Sequence, residues 1–405
     1  MSRSAGAVLL DNPIQNYAWG SLSALAELLG RPAAARPEAE LWIGAHPGAP
    51  SRDSSGRSLL ELIQADPEGT LGSDVEQRFG ARLPFLLKVL AVEAPLSLQA
   101  HPNLQQARAG FAREQAAGIP LDARARTYKD DNHKPELLCA LTPFEALSGF
   151  RPPLDSAALF AELGLAELAL VRALRSSAPE PLRDAFSGLM TLAPDAAAKL
   201  AADVLERAER ASASGGRFQA SFAWAARLGR AYPGDVGAVA SLLLNHLRLA
   251  PLEAVYLEAG RLHAYLCGTG IEIMANSDNV LRGGLTPKHV DVPELLRVLL
   301  FDSPPVRPTP TTRRSGAELA YESSAPEFQL SRIELEPARS CAWQLRGPEL
   351  LLCVDGRARV EAGSSVQELA RGQACFLPAA ARGARVTGCP PAGTARLFRA
   401  AVGAA

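Results

Sequence analysis

Residues 97–103 read SLQAHPN. In an extended strand the side chains alternate faces, so Gln99 and His101 project to one side while Ala100 points to the other. That makes half a metal site. HKPE, residues 133–136, adds the carboxylate of Glu136, and RLHAYL, residues 261–266, adds the imidazole of His263. Together Gln99, His101, Glu136 and His263 offer two nitrogen and two oxygen donors, a mixture that suits zinc with solvent or substrate completing an open shell. Each pattern alone also fits a hydrogen-bonded core histidine. Grouping is what favours the metal reading: four of the six histidines, His101, His133, His263 and His289, fall in the same three polar strand-like stretches.

Composition narrows the partners. At 405 residues the chain exceeds what one core normally serves, so two or three domains are expected. A 47% hydrophobic content allows a large core, and a formal net charge of -1 without any basic block argues against nucleic acid. No apolar run approaches the ~20 residues that span a bilayer, and MSRSAGAVLLDNPIQ has too short an apolar segment for a secretory signal. A cytoplasmic protein without membrane contact is expected, with no obligatory protein partner in evidence. Cys139, Cys267, Cys341, Cys353, Cys375 and Cys389 lack CxxC spacing and read as reduced, packed thiols. The cations are more informative, since five lysines stand against 37 arginines. Lys88, Lys134 and Lys288 lie inside or beside the chemical stretches and are expected to line one cleft; Lys129 and Lys199 are expected at the periphery.

Texture divides the chain. Strand-like segments run through AELWIGAHPGAPS, where Glu40 enters an apolar strand, and through LPFLLKVLAVEAPLSLQAHP, where Lys88 sits among Phe, Leu and Val. Between about Pro152 and Pro251, Leu and Ala recur at helical spacing with breaks near Pro179, Pro194 and Pro233. VGAVASLLLNHLRL is included in this helical stretch, which makes His246 a packed or half-exposed helix residue and not a ligand. Strand texture resumes at LEAVYLEAGRLHAYLCGTGIEIMANSDNVLRGGLTPKHVD, where Gly260 suits a tight turn delivering His263. PPVRPTPTTRR reads as an extended linker. From about Glu318 the strands FQLSRIELE, CAWQLRG, ELLLCVDGRARVEA and QACFLPAAARGARV follow, joined by Gly and Asp-Gly turns. They contain no histidine and read as a packing unit.

LPFLLKVL, SLQAHPN, NHKPELLCALTPFEAL, LEAGRLHAYL and ANSDNVLRGGLTPKHVD resemble the motifs of the type I phosphomannose isomerases, and NPIQNYAWGS with ELWIGAHPGAPS resembles their N-terminal motifs. The resemblance covers most of residues 8–150 and 251–300. It implies a mainly β fold with an inserted α-helical domain: a cupin (jelly-roll) catalytic domain over 1–151 and 251–317, helices over 152–250, and a second jelly roll over 318–405.

The same resemblance implies one zinc ion per chain, held by Gln99, His101, Glu136 and His263, and a sugar phosphate substrate. Lys88, Lys134, Lys288 and Arg282 match the family's active-site lysines and arginine. Ser97, Trp19, Glu40, Tyr265, Glu272 and Asp278 fall on pocket positions. The expected chemistry interconverts mannose 6-phosphate and fructose 6-phosphate through an enediol. Glu272 is the first candidate base, with Lys134 moving protons between oxygens and Arg282 and Lys288 as further catalytic residues. Arg282 suits either phosphate or a developing oxyanion, while Ser97 and Lys88 suit phosphate. Two alternatives are a metal-bound sugar-phosphate sensor without turnover and an isomerase of another aldose phosphate.

Overall fold

The structure, a computed structural model, describes residues 6–391 and 393–404. FLLKVLAV forms the strand Phe85–Val92, buried at every position because both of its faces are covered. Phe85, Leu87, Val89 and Ala91 enter an apolar cluster shared with the C-terminal sheet. Leu90 and Val92 enter a second cluster on the opposite face. Lys88 alternates with the first set and so shares the face of the second.

Ten strands are joined in this first sheet, and the long strand His263–Ala275 ties them together. Its later part pairs antiparallel with Phe85–Val92 on one side and Glu136–Ala140 on the other. Its earlier part pairs with Gln99–Ala100 and Phe144–Phe150. The ladder slips between Tyr265 and Cys267. Just beyond, Gly268 has φ +120°, and a Cβ placed there would lie 2.7 Å from the Pro143 carbonyl oxygen. Only glycine fits that bend, which lets one strand serve two ladders of a jelly roll and carry His263 and Glu272 into the same interior.

The helices Pro153–Glu162, Ala169–Leu174, Pro181–Met190, Pro194–Ala213, Gln219–Ala231 and Gly237–Ala240 follow the strand Phe144–Phe150. Three of them begin at proline, in the first turn where no N–H partner is needed. Their apolar faces pack on Leu98, Phe150, Leu262 and Leu281. The helical texture stops earlier than the sequence suggests. Leu244–Leu249 is a strand paired with Phe144–Phe150, so His246 sits on a strand and not on a helix. A short apolar run fits either period, and the neighbouring strand decides between them.

A seven-stranded and a four-stranded antiparallel sheet make up the C-terminal unit, which encloses its own apolar cluster. Val8–Leu10 pairs with Ala374–Leu377 of that unit, although its place in the sequence groups it with the first. Among the described residues no helix is long and apolar enough to cross a membrane, and the six cysteines are free.

Candidate metal centre

Gln99 and His263 are register partners, and residues directly opposite in a ladder present their side chains on one face. His101 follows at once from the short strand Gln99–Ala100, and Glu136 opens the strand Glu136–Ala140. Gly260 turns the chain ahead of His263 with φ +80°, where a Cβ would lie 2.8 Å from the Val298 carbonyl oxygen; glycine is required.

Donor atoms of His101, Glu136 and His263 all lie within 4.8 Å of one another, and all three residues are buried. His101 Nε2 stands 3.4 Å from Glu136 Oε1, and His263 Nε2 stands 3.3 Å from Glu136 Oε2. The other ring nitrogens are committed: His101 Nδ1 donates to the Asn279 carbonyl at 2.7 Å and His263 Nδ1 to the Arg261 carbonyl at 2.9 Å. Each Nε2 is therefore left as a lone pair facing a carboxylate, acceptor against acceptor. His101 Nε2, His263 Nε2 and Glu136 Oε2 are buried with no hydrogen-bond partner. A divalent cation resolves that arrangement, and backbone carbonyls behind the imidazoles are how metal-binding histidines are oriented. Burial pushes His101 down to about 4 against the opposing pull of Glu136, keeping the imidazole neutral. Burial opposes the charge on Glu136 as well, yet the Lys134 ammonium holds its carboxyl well below the usual range. Lys134 Nζ lies 3.1 Å from Glu136 Oε1.

Beside this triad runs a chain of charges. Glu272 and Lys88 are register partners, with Lys88 Nζ 3.3 Å from Glu272 Oε2 and 3.4 Å from Glu40 Oε2. Burial works against the Lys88 charge, but Glu40 and Glu272 more than offset it and raise its pKa. Tyr265 donates its hydroxyl to Glu272 Oε1 at 3.0 Å. Burial, then the charge of Glu136, raises the Glu272 carboxyl above its ordinary value, with Lys88 and Lys134 opposing. Such a carboxylate is a stronger base than one in water.

Arg282 Nη1 donates to Ser97 Oγ at 2.9 Å. Arg282 also lines a cleft of about 460 Å³ with Asp278, Lys288, His289 and Lys129. Lys288 is exposed there, its pKa lowered by the Arg282 charge first, then by burial and Lys129. Of the three lysines expected together, Lys88 and Lys134 are buried at the carboxylates and Lys288 stands at this rim. Lys129, expected at the periphery, instead lines the same cleft, with its ammonium on the Leu121 carbonyl. Lys199 is exposed on its helix. Trp19 packs against the apolar cluster that contains Tyr265, and Asp278 meets His46 at 3.4 Å.

Two residues escape a reading by motif. Trp42, the register partner of Lys88, donates its indole N–H to Glu40 Oε2 at 2.5 Å and lies with its ring 5.3 Å from Lys88 Nζ. Its spacing of two from Glu40 was the available signal. Asn279 is fully buried; besides taking His101 Nδ1 on its carbonyl, its amide donates to the carbonyls of Asp130 and Asn132 at 2.9 and 2.8 Å. Nothing local in the sequence announces that role.

A jelly roll with two lone-pair imidazoles and a carboxylate converging in its interior, beside a buried lysine and glutamate, defines a cupin-type metalloenzyme. Residues 8–153 match the family model "Phosphomannose isomerase type I, catalytic domain". Mannose-6-phosphate isomerase of Escherichia coli (strain K12) is 40% identical over 376 residues, spanning 91% of this chain and 94% of that protein. The Homo sapiens protein of that name is 34% identical over 354 residues, spanning 80% of this chain and 81% of its own. A solved mannose 6-phosphate isomerase bound with zinc and yttrium superposes with a TM-score of 0.88 at 37% identity, covering 98% of this chain and 100% of that one. A holo, zinc-bound structure does so equally well, with a TM-score of 0.88 at 37% identity. The chain belongs to the type I phosphomannose isomerase family, and it is an enzyme.

Proposed function

We propose that this chain is a zinc-dependent isomerase interconverting mannose 6-phosphate and fructose 6-phosphate through an enediol, with one zinc ion held by Gln99, His101, Glu136 and His263. The observation that carries the reading is the set of three buried, partnerless donor atoms on His101, Glu136 and His263, set against relatives that bear this activity and are solved with zinc. When bound, zinc supplies Lewis acidity toward the substrate's C1 and C2 oxygens.

The remaining work falls to side chains. Glu272, held by Tyr265 and Lys88, removes the proton from one carbon and returns it to the other. Lys134 moves a proton between the two oxygens. Arg282, braced by Ser97, presents a planar set of donors to negative charge. Lys288 adds a cation at the rim, and Asp278 and Trp19 shape the entrance for a sugar phosphate. The buried sheet faces exclude water from the reacting carbons.

The organisation we propose is a catalytic jelly roll, an inserted helical domain and a C-terminal jelly roll. The strand Leu244–Leu249 supports ending the insertion near residue 243. Six free thiols support a reducing compartment. The test is an assay of the purified protein with mannose 6-phosphate, before and after chelation and after zinc is restored. Conversion that is lost and then recovered is expected. Turnover of another aldose phosphate in preference to mannose 6-phosphate, or binding without turnover, would overturn the reading.

A further inference from the structure

Glu327 belongs to the C-terminal unit, two residues ahead of the strand Gln329–Leu335, yet it reaches the segment that carries Lys134 and Glu136. It is 5% exposed. Its Oε1 accepts from His133 Nε2 at 2.7 Å, and its Oε2 is buried without a partner. A carboxylate half satisfied in the interior is costly by itself, and one short charge-assisted bond is what holds it there. For simple cohesion between two sheets, an apolar pair of similar volume serves as well or better. The position of the bond suggests a more specific role.

His133 immediately precedes Lys134 and lies three residues before Glu136. This segment is also tied to the end of the long strand and the chain that follows it. Asn132 donates to the Asn276 carbonyl at 3.0 Å, its own carbonyl accepts from Asn279 and Ser277 at 2.8 and 3.2 Å, and the Pro135 carbonyl accepts from Ala275 at 3.2 Å. His133 adds a tie to the C-terminal sheet, so the segment is held from two directions. The far anchor is well packed. Phe328, next to Glu327, is fully buried in the apolar cluster common to both sheets, and the Pro326 carbonyl accepts from Arg78 at 3.1 Å.

We infer that Glu327 is a positioning residue for the isomerase site, acting through His133 to fix the approach of Lys134 to Glu136. The C-terminal jelly roll thereby becomes part of the active-site scaffold and not merely a packing unit. The catalytic consequence rests on the proposed isomerase function, whereas the mechanical tie does not. Displacement of a proton-transfer group by about 1 Å costs on the order of 100-fold in rate, so a loosened segment reads out in turnover ahead of substrate binding.

The experiment compares Glu327→Ala, Glu327→Gln, His133→Ala and the double alanine variant, all in the full-length zinc-loaded enzyme. Turnover of Glu327→Ala is expected to fall by roughly 10- to 100-fold with KM and zinc content nearly unchanged. Glu327→Gln, which can still accept from His133, recovers most of it. The double variant is no worse than either single one, as for two residues acting through one contact. Hydrogen exchange provides the arm independent of activity: amides of residues 130–136 lose protection in Glu327→Ala while those of Gln329–Leu335 keep theirs. Wild-type turnover in Glu327→Ala, multiplicative losses in the double variant, or unchanged exchange over 130–136 would each overturn the inference. If Glu327→Ala does not fold, His133→Ala, at a partly exposed side chain, decides by the same criteria. Absence of isomerase activity in the unmodified protein would instead remove the proposed function and leave the exchange result to judge the tie.

Discussion

Gln99 and His263 face each other directly across an antiparallel ladder, 164 positions apart in numbering. Arg282 pairs with Gln99 on its other side. An amide, an imidazole and a guanidinium are thus lined up by backbone register alone, before any side chain chooses a rotamer.

That register predicts unequal ligands. His101, Glu136 and His263 have their second atoms already committed or orphaned, so alanine at any of the three should abolish stoichiometric zinc measured by elemental analysis. Gln99 contributes a neutral amide from a half-buried position. Gln99→Ala should keep zinc at saturating metal and bind it roughly 10- to 100-fold more weakly. Full occupancy in His263→Ala would refute the assignment.

Arg282 separates catalysis from holding. If its charge serves a transition-state oxyanion, Arg282→Ala lowers turnover by roughly 100-fold or more while zinc remains, and Arg282→Lys recovers little because an ammonium cannot reproduce the fork held on Ser97. Steady-state kinetics of both variants decide. A rise in KM with turnover intact would assign Arg282 to ground-state binding of the phosphate instead.

The pH profile follows from Glu272. Burial and Glu136 raise its carboxyl above the ordinary glutamate value, and the base must be ionised to act. Turnover should therefore fall on the acid side at a pH above the ordinary carboxylate range, and Glu272→Gln should remove nearly all of it. The stability sign runs the other way. A raised carboxyl favours the neutral form in the fold, so its contribution is present below the ordinary value and lost as pH rises through the raised one. Titrating kcat against pH in wild type and Glu272→Asp checks this, and an acid limb at the ordinary glutamate value would sink the assignment.

Away from the metal, His246 and Trp224 both donate to Glu145 Oε2, His246 at 2.7 Å. Burial works against the Glu145 charge, but Trp224 and His246 hold its pKa below the ordinary value. Its contribution is present above the ordinary pKa and lost as pH falls through the lowered one. Glu145→Ala leaves a buried indole N–H unpaired and should destabilise by about 1–3 kcal/mol without changing zinc content. Thermal unfolding with metal analysis tests both halves, and zinc loss would overturn the reading of His246 as a residue without a role at the metal.

Much of this site is legible in the chain itself. The alternation of SLQAHPN, the carboxylate of HKPE, the imidazole of RLHAYL and the survival of Lys88 and Lys134 in an arginine-rich chain are local properties, set by side-chain chemistry and a period of two. Gly260 was legible for the same reason, since a tight turn requires glycine whatever surrounds it. Tertiary structure decided what depends on neighbours. Whether LLLNHLRL became helix or strand depended on the free edge of Phe144–Phe150, because a short apolar run satisfies both periods. Trp42 on Glu40, Asn279 behind His101 and Glu327 on His133 are pairings that no spacing encodes, except that of Trp42. Burial makes each buried donor and acceptor find a partner, and only the folded sheets determine which one is within reach.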